Sequence, residues 1–280
     1  MPRSRTLFPG CTLALALAGW SVAAAQAERP ISFAFASQAG TGIYEVEGRT
    51  IQIYRLPIAF TAKPIKDGRW GLKLTLPVTF GFYDYEPEDF LAGVIPAHVG
   101  VASLVPGVRV DVRVKNPWIV SPYVEAGAAK DFEGDIAQPI YAAGIRSVVS
   151  FTWGTWDGRA GQRILWAGTG NSDDWLSDEY GEVEVGFEFR HELPANLWGT
   201  RLDIGLFVLH EHYFKEHASP ALRSAAPATV PGVDEQNEIG VTFGTRPKLA
   251  WWKLAMPKLG LSYRFGDGIS GVRFVIGEVF

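Results

Sequence analysis

The chain has 280 residues, of which 47% are hydrophobic, 13% aromatic and only 20% charged, with a formal net charge of −4. No basic stripe offers a nucleic-acid surface, and past residue 27 no uninterrupted apolar run reaches the roughly 18 residues of a membrane-spanning helix. The one cysteine, Cys11, lies near the start, so the rest of the chain can make neither a disulfide nor a thiolate ligand or nucleophile.

Residues 1–27 read as an export signal. Arg3 and Arg5 precede an apolar stretch from Leu13 to Ala25, and Ala25-Gln26-Ala27 supplies the small-x-small pattern for cleavage after Ala27. Residues 28–280 then form one domain, with only residues 28–30 ahead of the first expected strand. Twelve strands are expected in order, near 31–40, 50–64, 70–83, 99–114, 118–130, 139–154, 162–170, 182–193, 200–214, 237–248, 257–265 and 271–280.

The third strand shows the pattern most fully. Trp70, Leu72, Leu74, Leu76, Val78, Phe80 and Phe82 fill one face, while Gly71, Lys73, Thr75, Pro77, Thr79 and Gly81 fill the other. The same alternation runs through Val108–Val114, Val183–Phe189, Leu202–Val208 and Leu259–Phe265. In the second strand the apolar phase shifts between Ile51/Ile53 and Leu56/Ile58/Phe60, as one bulge would produce. Pro57, Pro77 and Pro122 each remove a ladder donor, which predicts local bends or bulges.

Connections alternate between brief and long. Those at 66–69, 115–117 and 194–199 are brief; those at 84–98, 131–138, 171–181 and 215–236 are long and polar. Apolar-out and polar-in strands, an even strand count and one end with short turns describe an all-β, up-and-down antiparallel transmembrane β-barrel. Trp70, Trp118, Trp153, Trp156, Trp198, Trp251 and Trp252 fall at the short-turn ends, where an indole can sit at a membrane interface. Tyr83, Tyr85, Tyr180, Tyr213 and Phe214 are placed to form the girdle at the opposite end.

The last segment, "GVRFVIGEVF", alternates up to its final residue. Val272, Phe274, Ile276 and Phe280 resemble the C-terminal assembly signal of Gram-negative outer-membrane proteins, with Glu278 departing from it. In length and layout the chain resembles solitary autotransporter-like barrels without a passenger. The resemblance implies a bacterial outer-membrane location, contact with outer-membrane lipids and lipopolysaccharide, and recognition of the last strand by the barrel-assembly machinery. It implies no catalytic residue and no cofactor.

The polar face carries both signs of charge. Lys73, Arg109, Arg113, Glu184, Glu188, Arg190, Arg201, Asp203, Arg264 and Arg273 are expected to line a lumen, with Asp111, Glu125, Arg146, Glu211, Glu238 and Lys258 beside them. Such a lining suits a small passive pore, or a structural and surface-exposed barrel plugged by opposite charges. His210 and His212, with Glu216 and His217 nearby, read as interfacial histidines and not as a metal site. An alternative is a hydrolase of lipid or peptide at the outer rim, with Asp84, Glu86, Asp173, Asp174 and His212 as its acid and base candidates. The chain contains no serine-hydrolase elbow, metalloprotease helix or phosphate loop.

Overall fold

The computed structural model describes residues 33–280 except 47–48, 66–68, 84–99, 133–135, 171–178, 198, 215–233, 248–249, 252–253, 256 and 267–268. Residues 1–27, and with them the export signal, lie outside the described residues, as do Asp84, Glu86, Asp173 and Asp174. The chain opens with a short helix, α1 (Phe33–Ala39), followed by β1 (Thr41–Val46), β2 (Arg49–Lys63), β3 (Trp70–Tyr83), β4 (Val101–Leu104), β5 (Gly107–Lys115) and β6 (Trp118–Asp131). It continues through β7 (Ile136–Trp153), β8 (Trp156–Thr169), β9 (Glu179–Leu197), β10 (Thr200–Phe214) and β11 (Glu235–Arg246). A two-stranded hairpin, β12 (Ala250–Trp251) and β13 (Leu254–Ala255), precedes β14 (Leu259–Gly266) and β15 (Ile269–Ile276).

Every neighbour in the large sheet is antiparallel. β1 pairs with both β2 and β15, and the order runs through β14, β11, β10, β9, β8, β7 and β6 back to β3 and β2, closing the sheet on itself. β4 and β5 both lie between β3 and β6, so they are two halves of one strand, and the cylinder has twelve strands. Closure gives each of the twelve strands a partner on both sides, which an apolar solvent demands of a spanning sheet.

The outer wall is apolar. On β10, Leu206 and Val208 point outward, with Val208 47% exposed, while Asp203, Phe207, Leu209 and Glu211 between them are buried. β9 repeats the pattern with Val183, Val185 and Phe187 outside and Glu182, Glu184 and Glu188 inside. An aqueous protein would not leave so continuous an apolar surface bare; in a bilayer it is the solvated face. Val208→Arg is expected to lower the barrel's unfolding free energy in bilayers by about 2–4 kcal/mol, since the charge would meet hydrocarbon. Urea titration in liposomes against Val208→Ala checks this.

Trp70, Trp118 and Trp153, the last 70% exposed, ring the short-turn end. At the other end Trp166 meets Phe214 at 6.4 Å. Tyr180 and Tyr213 do not join that girdle. Both are buried inside the barrel, and their rings pack on Phe35 of α1.

The first expected strand, 31–40, is corrected: residues 33–39 are helical and the first barrel strand is 41–46. α1 is enclosed by the sheet, touching β2, β3, β4, β7 and β8, and Ala34, Phe35, Ala36, Ser37 and Ala39 are buried. This helix also explains β2. Its register with β3 is unbroken from Ile51–Tyr83 to Thr61–Lys73, so no bulge separates Ile53 from Leu56. Ile51 and Ile53 are apolar on the inner face because they pack in one cluster with α1.

Two of the three prolines do mark breaks. Pro77 lies where β4 gives way to β5, and β5–β6 pairing skips the residues opposite Pro122. A residue without N–H cannot complete a ladder on both edges. The final strand stops at Ile276. Gly277 takes φ +106°, a value that favours glycine, and the chain turns inward there.

Candidate functional site

The lumen is layered, and β10 gives the order of the layers. From the short-turn end inward its buried side chains are Asp203, Phe207, Leu209, Glu211 and Tyr213, with Gly205 also buried after Asp203. Because side chains alternate along a strand, each layer is met by residues from β9, β8 and β11 in matching register.

The layer nearest the short turns is ionic. Arg190 bonds Asp203 through Nε at 3.0 Å and Glu188 through Nη1 at 2.8 Å. Lys258 and Arg159 also approach Glu188, at 3.3 and 3.4 Å, and both contact Glu278, at 3.0 and 2.7 Å. Arg246 closes the rim against Asp157 and Glu192. Arg201 is corrected from the lumen to this rim: its side chain is 69% exposed and paired with Glu192 at 3.2 Å. A register shift between Arg201 and Asp203 separates the two.

Above it sits an apolar layer of Phe207, Leu209, Val275 and Phe280. Phe280 is only 8% exposed, so the expectation that it joins Val272 and Phe274 on the lipid face is corrected. Val272 and Phe274 do face outward, both exposed, while Ile276 is half-buried at the strand end. The Phe280 ring is accommodated by missing side chains: a Cβ on Gly161 would meet its Cδ1 at 2.2 Å, and one on Gly186 its Cε1 at 3.1 Å. Gly161→Leu is therefore expected to expel Phe280 from the lumen, read as a rise in protease cleavage at the C-terminal segment of the folded protein.

A second ionic layer follows. Arg163 bridges Glu182 and Glu184, the latter at 2.9 Å, and Arg264 bridges Glu211 at 3.1 Å and Glu238 at 2.8 Å. Arg273 reaches Glu238 at 2.8 Å. The Tyr213 hydroxyl donates to Glu211, as does the Gln236 amide. Oxygens of Glu182, Glu184 and Glu211 lie within 4.8 Å of one another, near enough to share a cation, but Arg163 and Arg264 already supply their positive charge.

The uppermost layer is α1 itself, inside a collar of Tyr44, Ile51, Ile53, Ala142, Leu165, Ala167, Tyr180, Tyr213 and Ile269. The Tyr44 hydroxyl donates to the Ala39 carbonyl at 2.7 Å, and the Gln38 amide donates to Glu125 at 3.3 Å. Both bonds tie the helix to the wall.

On the far side of the lumen Asp111 binds Lys73 at 3.2 Å, Arg109 at 3.1 Å and the Ser121 hydroxyl at 2.8 Å. Arg113 donates to the Ile65 carbonyl near the short-turn rim, and Arg146 lies over the Tyr123 ring. Pro57, Ala59 and Thr61 share the inner face of β2 with Arg55, opposite Pro77, Thr75 and Lys73, and are exposed, so this sector is a recess open to water.

Of the expected lining, Lys73, Arg109, Glu184, Glu188, Arg190, Asp203, Arg264 and Arg273 meet inside, in ion pairs of opposite sign. Arg159, Arg163 and Glu182 belong with them and were not anticipated. The pattern that reveals them is Arg159, Gly161, Arg163, Leu165 and Ala167 alternating with Ala160, Gln162, Ile164 and Trp166. Reading β8 from residue 162 cuts that alternation in half.

His210 and His212 both point outward near the long-connection end. His210 Nδ1 lies 3.0 Å from Asn237 Oδ1, and His212 Nδ1 lies 3.6 Å from Glu235 in an exposed pair. The other members of the rim constellation lie outside the described residues, so His212 stands with no described acid but Glu235.

No protein-family model matches the sequence, and no curated protein matches it. Solved structures do match in shape. The β domain of the Bordetella autotransporter BrkA superposes with a TM-score of 0.54 at 14% identity, over 85% of this chain and 92% of that one. LpxR from Salmonella typhimurium gives 0.42 at 8%, over 84% and 90%, and the siderophore receptor PirA from Pseudomonas aeruginosa gives 0.34 at 11%, over 84% and 40%. Closed wall, apolar exterior and shape together give this chain the fold of a twelve-stranded transmembrane β-barrel, similar to that of the BrkA β domain.

Proposed function

We propose that the chain is an integral barrel of the bacterial outer membrane with a closed lumen, acting as a structural and surface-exposed barrel and not as a diffusion pore. The observation that carries this reading is α1: Phe35 is 2% exposed at the centre of the collar, where an open channel would hold water. The ionic layers support it too. Arginines and carboxylates consume one another, leaving no ring of one sign among the described residues to select an ion. Lipids and lipopolysaccharide are then the partners of the outer wall, and the assembly machinery the partner of β15.

The test is single-channel recording on refolded protein whose gel migration shifts on heating, as a folded barrel's does. A silent bilayer supports the closed barrel. Discrete, reproducible conductance steps from the intact chain would return it to the pores.

A further inference from the structure

The barrel wall has a notch at its short-turn end. The β11–β14 ladder ends at the pair Phe243–Leu259, although β11 runs on to Arg246. The β12–β13 hairpin between these strands pairs outside the large sheet, and β14 begins only at Leu259. A cavity of about 450 Å³ occupies the gap.

Its lining includes neighbours that point to opposite faces of the sheet: Leu202 with Asp203, Phe243 with Gly244, and Lys258 with Leu259. In an unbroken strand the side chains of such neighbours lie on different sides of the wall, and here the β11–β14 ladder has already ended. The cavity therefore borders both faces at the open end of the ladder. Phe243 and Leu259 belong to the exposed apolar exterior, whereas Asp203 and Lys258 belong to the ionic layer of the lumen. Arg246, whose side chain is 42% exposed, stands at the mouth.

We propose that this notch binds one membrane phospholipid, with an acyl chain along Leu202, Phe243 and Leu259 and its phosphate held by Arg246 and Lys258. The apolar side opens where the bilayer's hydrocarbon lies, and the cationic side opens at headgroup depth, at the same short-turn end of the barrel that carries Trp70, Trp118 and Trp153. The volume lies within the roughly 300–1,000 Å³ of ordinary ligand sites. Arg246 also faces Asp157 and Glu192, and Lys258 faces Glu188 and Glu278, so the phosphate would share them with these carboxylates in a mouth lined by four cations and two carboxylates. This inference rests on the barrel's place in a membrane and is independent of whether the lumen conducts.

The test is native mass spectrometry of the detergent-folded barrel, mixed with phosphatidylethanolamine or with diacylglycerol of the same chains. Heat-shifted gel migration of each sample reports folding separately. The wild-type chain is expected to retain one phosphatidylethanolamine with at least ten-fold preference over diacylglycerol. Arg246→Gln with Lys258→Gln should reduce that retention about ten-fold, and Leu202→Trp, which fills the apolar side and leaves the ion pairs alone, should abolish it. A folded wild-type barrel that carries no lipid, or carries diacylglycerol equally well, overturns the site. So does undiminished retention by Leu202→Trp, which decides the matter should the charge variant not fold.

Discussion

Arg264→Leu is expected to destabilise the folded barrel by about 3–5 kcal/mol, the usual cost of removing one partner from a buried ionic group. Arg264 is held inside the wall, its Nη2 within 3.1 Å of Glu211 and 2.8 Å of Glu238. Leucine would restore neither charge nor hydrogen bonds, and Glu211 would keep only neutral donors, Tyr213 and Gln236. Glu238 would keep Arg273, so the loss falls mainly on Glu211. Adding Glu211→Leu to Arg264→Leu should recover part of the loss, since a matched apolar pair leaves no uncompensated charge. Arg201→Leu is the control: its exposed pair with Glu192 should contribute at most about 1 kcal/mol. Urea midpoints in detergent micelles, with heat-shifted migration as the folding readout, rank the three variants. Equal losses for Arg264→Leu and Arg201→Leu would contradict the buried network.

Deleting residues 33–39 is expected to convert a silent barrel into a conducting one. The helix contributes no hydrogen bond to the sheet ladders, and the closing pairs β1–β15 and β1–β2 begin after it, at Thr41 and Gly42. The wall should therefore still close without it. What disappears is the apolar plug centred on Phe35, leaving Ile51, Ile53, Leu165 and Ile269 around an empty space next to the water-accessible recess at Pro57, Ala59 and Thr61. Phe35→Ala should show the same effect in weaker form, as brief openings. Bilayer recordings of both variants beside the intact chain test this. A folded deletion variant that stays silent would place the seal lower, in the ionic and Phe280 layers.

The wall was legible because lipid imposes one rule on every strand. A residue facing hydrocarbon must be apolar and its neighbours face inward, so alternation located eleven of the twelve strands, all but β8 with ends within about four residues. The lumen was less legible, since its inner face obeys two rules in different places. Where charges pair, inward residues are polar and the alternation is plain, as at Glu184, Glu188 and Arg190. Where α1 is enclosed, inward residues are apolar, and Ile51, Ile53, Tyr180 and Tyr213 read as a bulge or a girdle. α1 itself spans seven residues, two turns of helix, too short for a 3.6-residue period to declare itself against the strand-like spacing of Ile31, Phe33 and Phe35. Phe280 continued the period of β15 in the sequence, but the positive φ of Gly277 takes it out of the sheet. Its destination was encoded elsewhere, in Gly161 and Gly186 on β8 and β9, which only tertiary structure relates to it.

The occupied lumen is tested most directly by cross-linking the helix to the wall. Gln38 and Glu125 face each other across a 3.3 Å hydrogen bond, and the sole native cysteine is Cys11. A chain carrying Gln38→Cys and Glu125→Cys, with Cys11 replaced, is folded into liposomes and treated with a short bifunctional maleimide. An internal cross-link is expected in the heat-shiftable, folded species, absent from each single-cysteine variant and lost when the protein is unfolded before treatment. A barrel that folds and inserts but leaves both thiols independently labelled would show that α1 does not occupy the lumen.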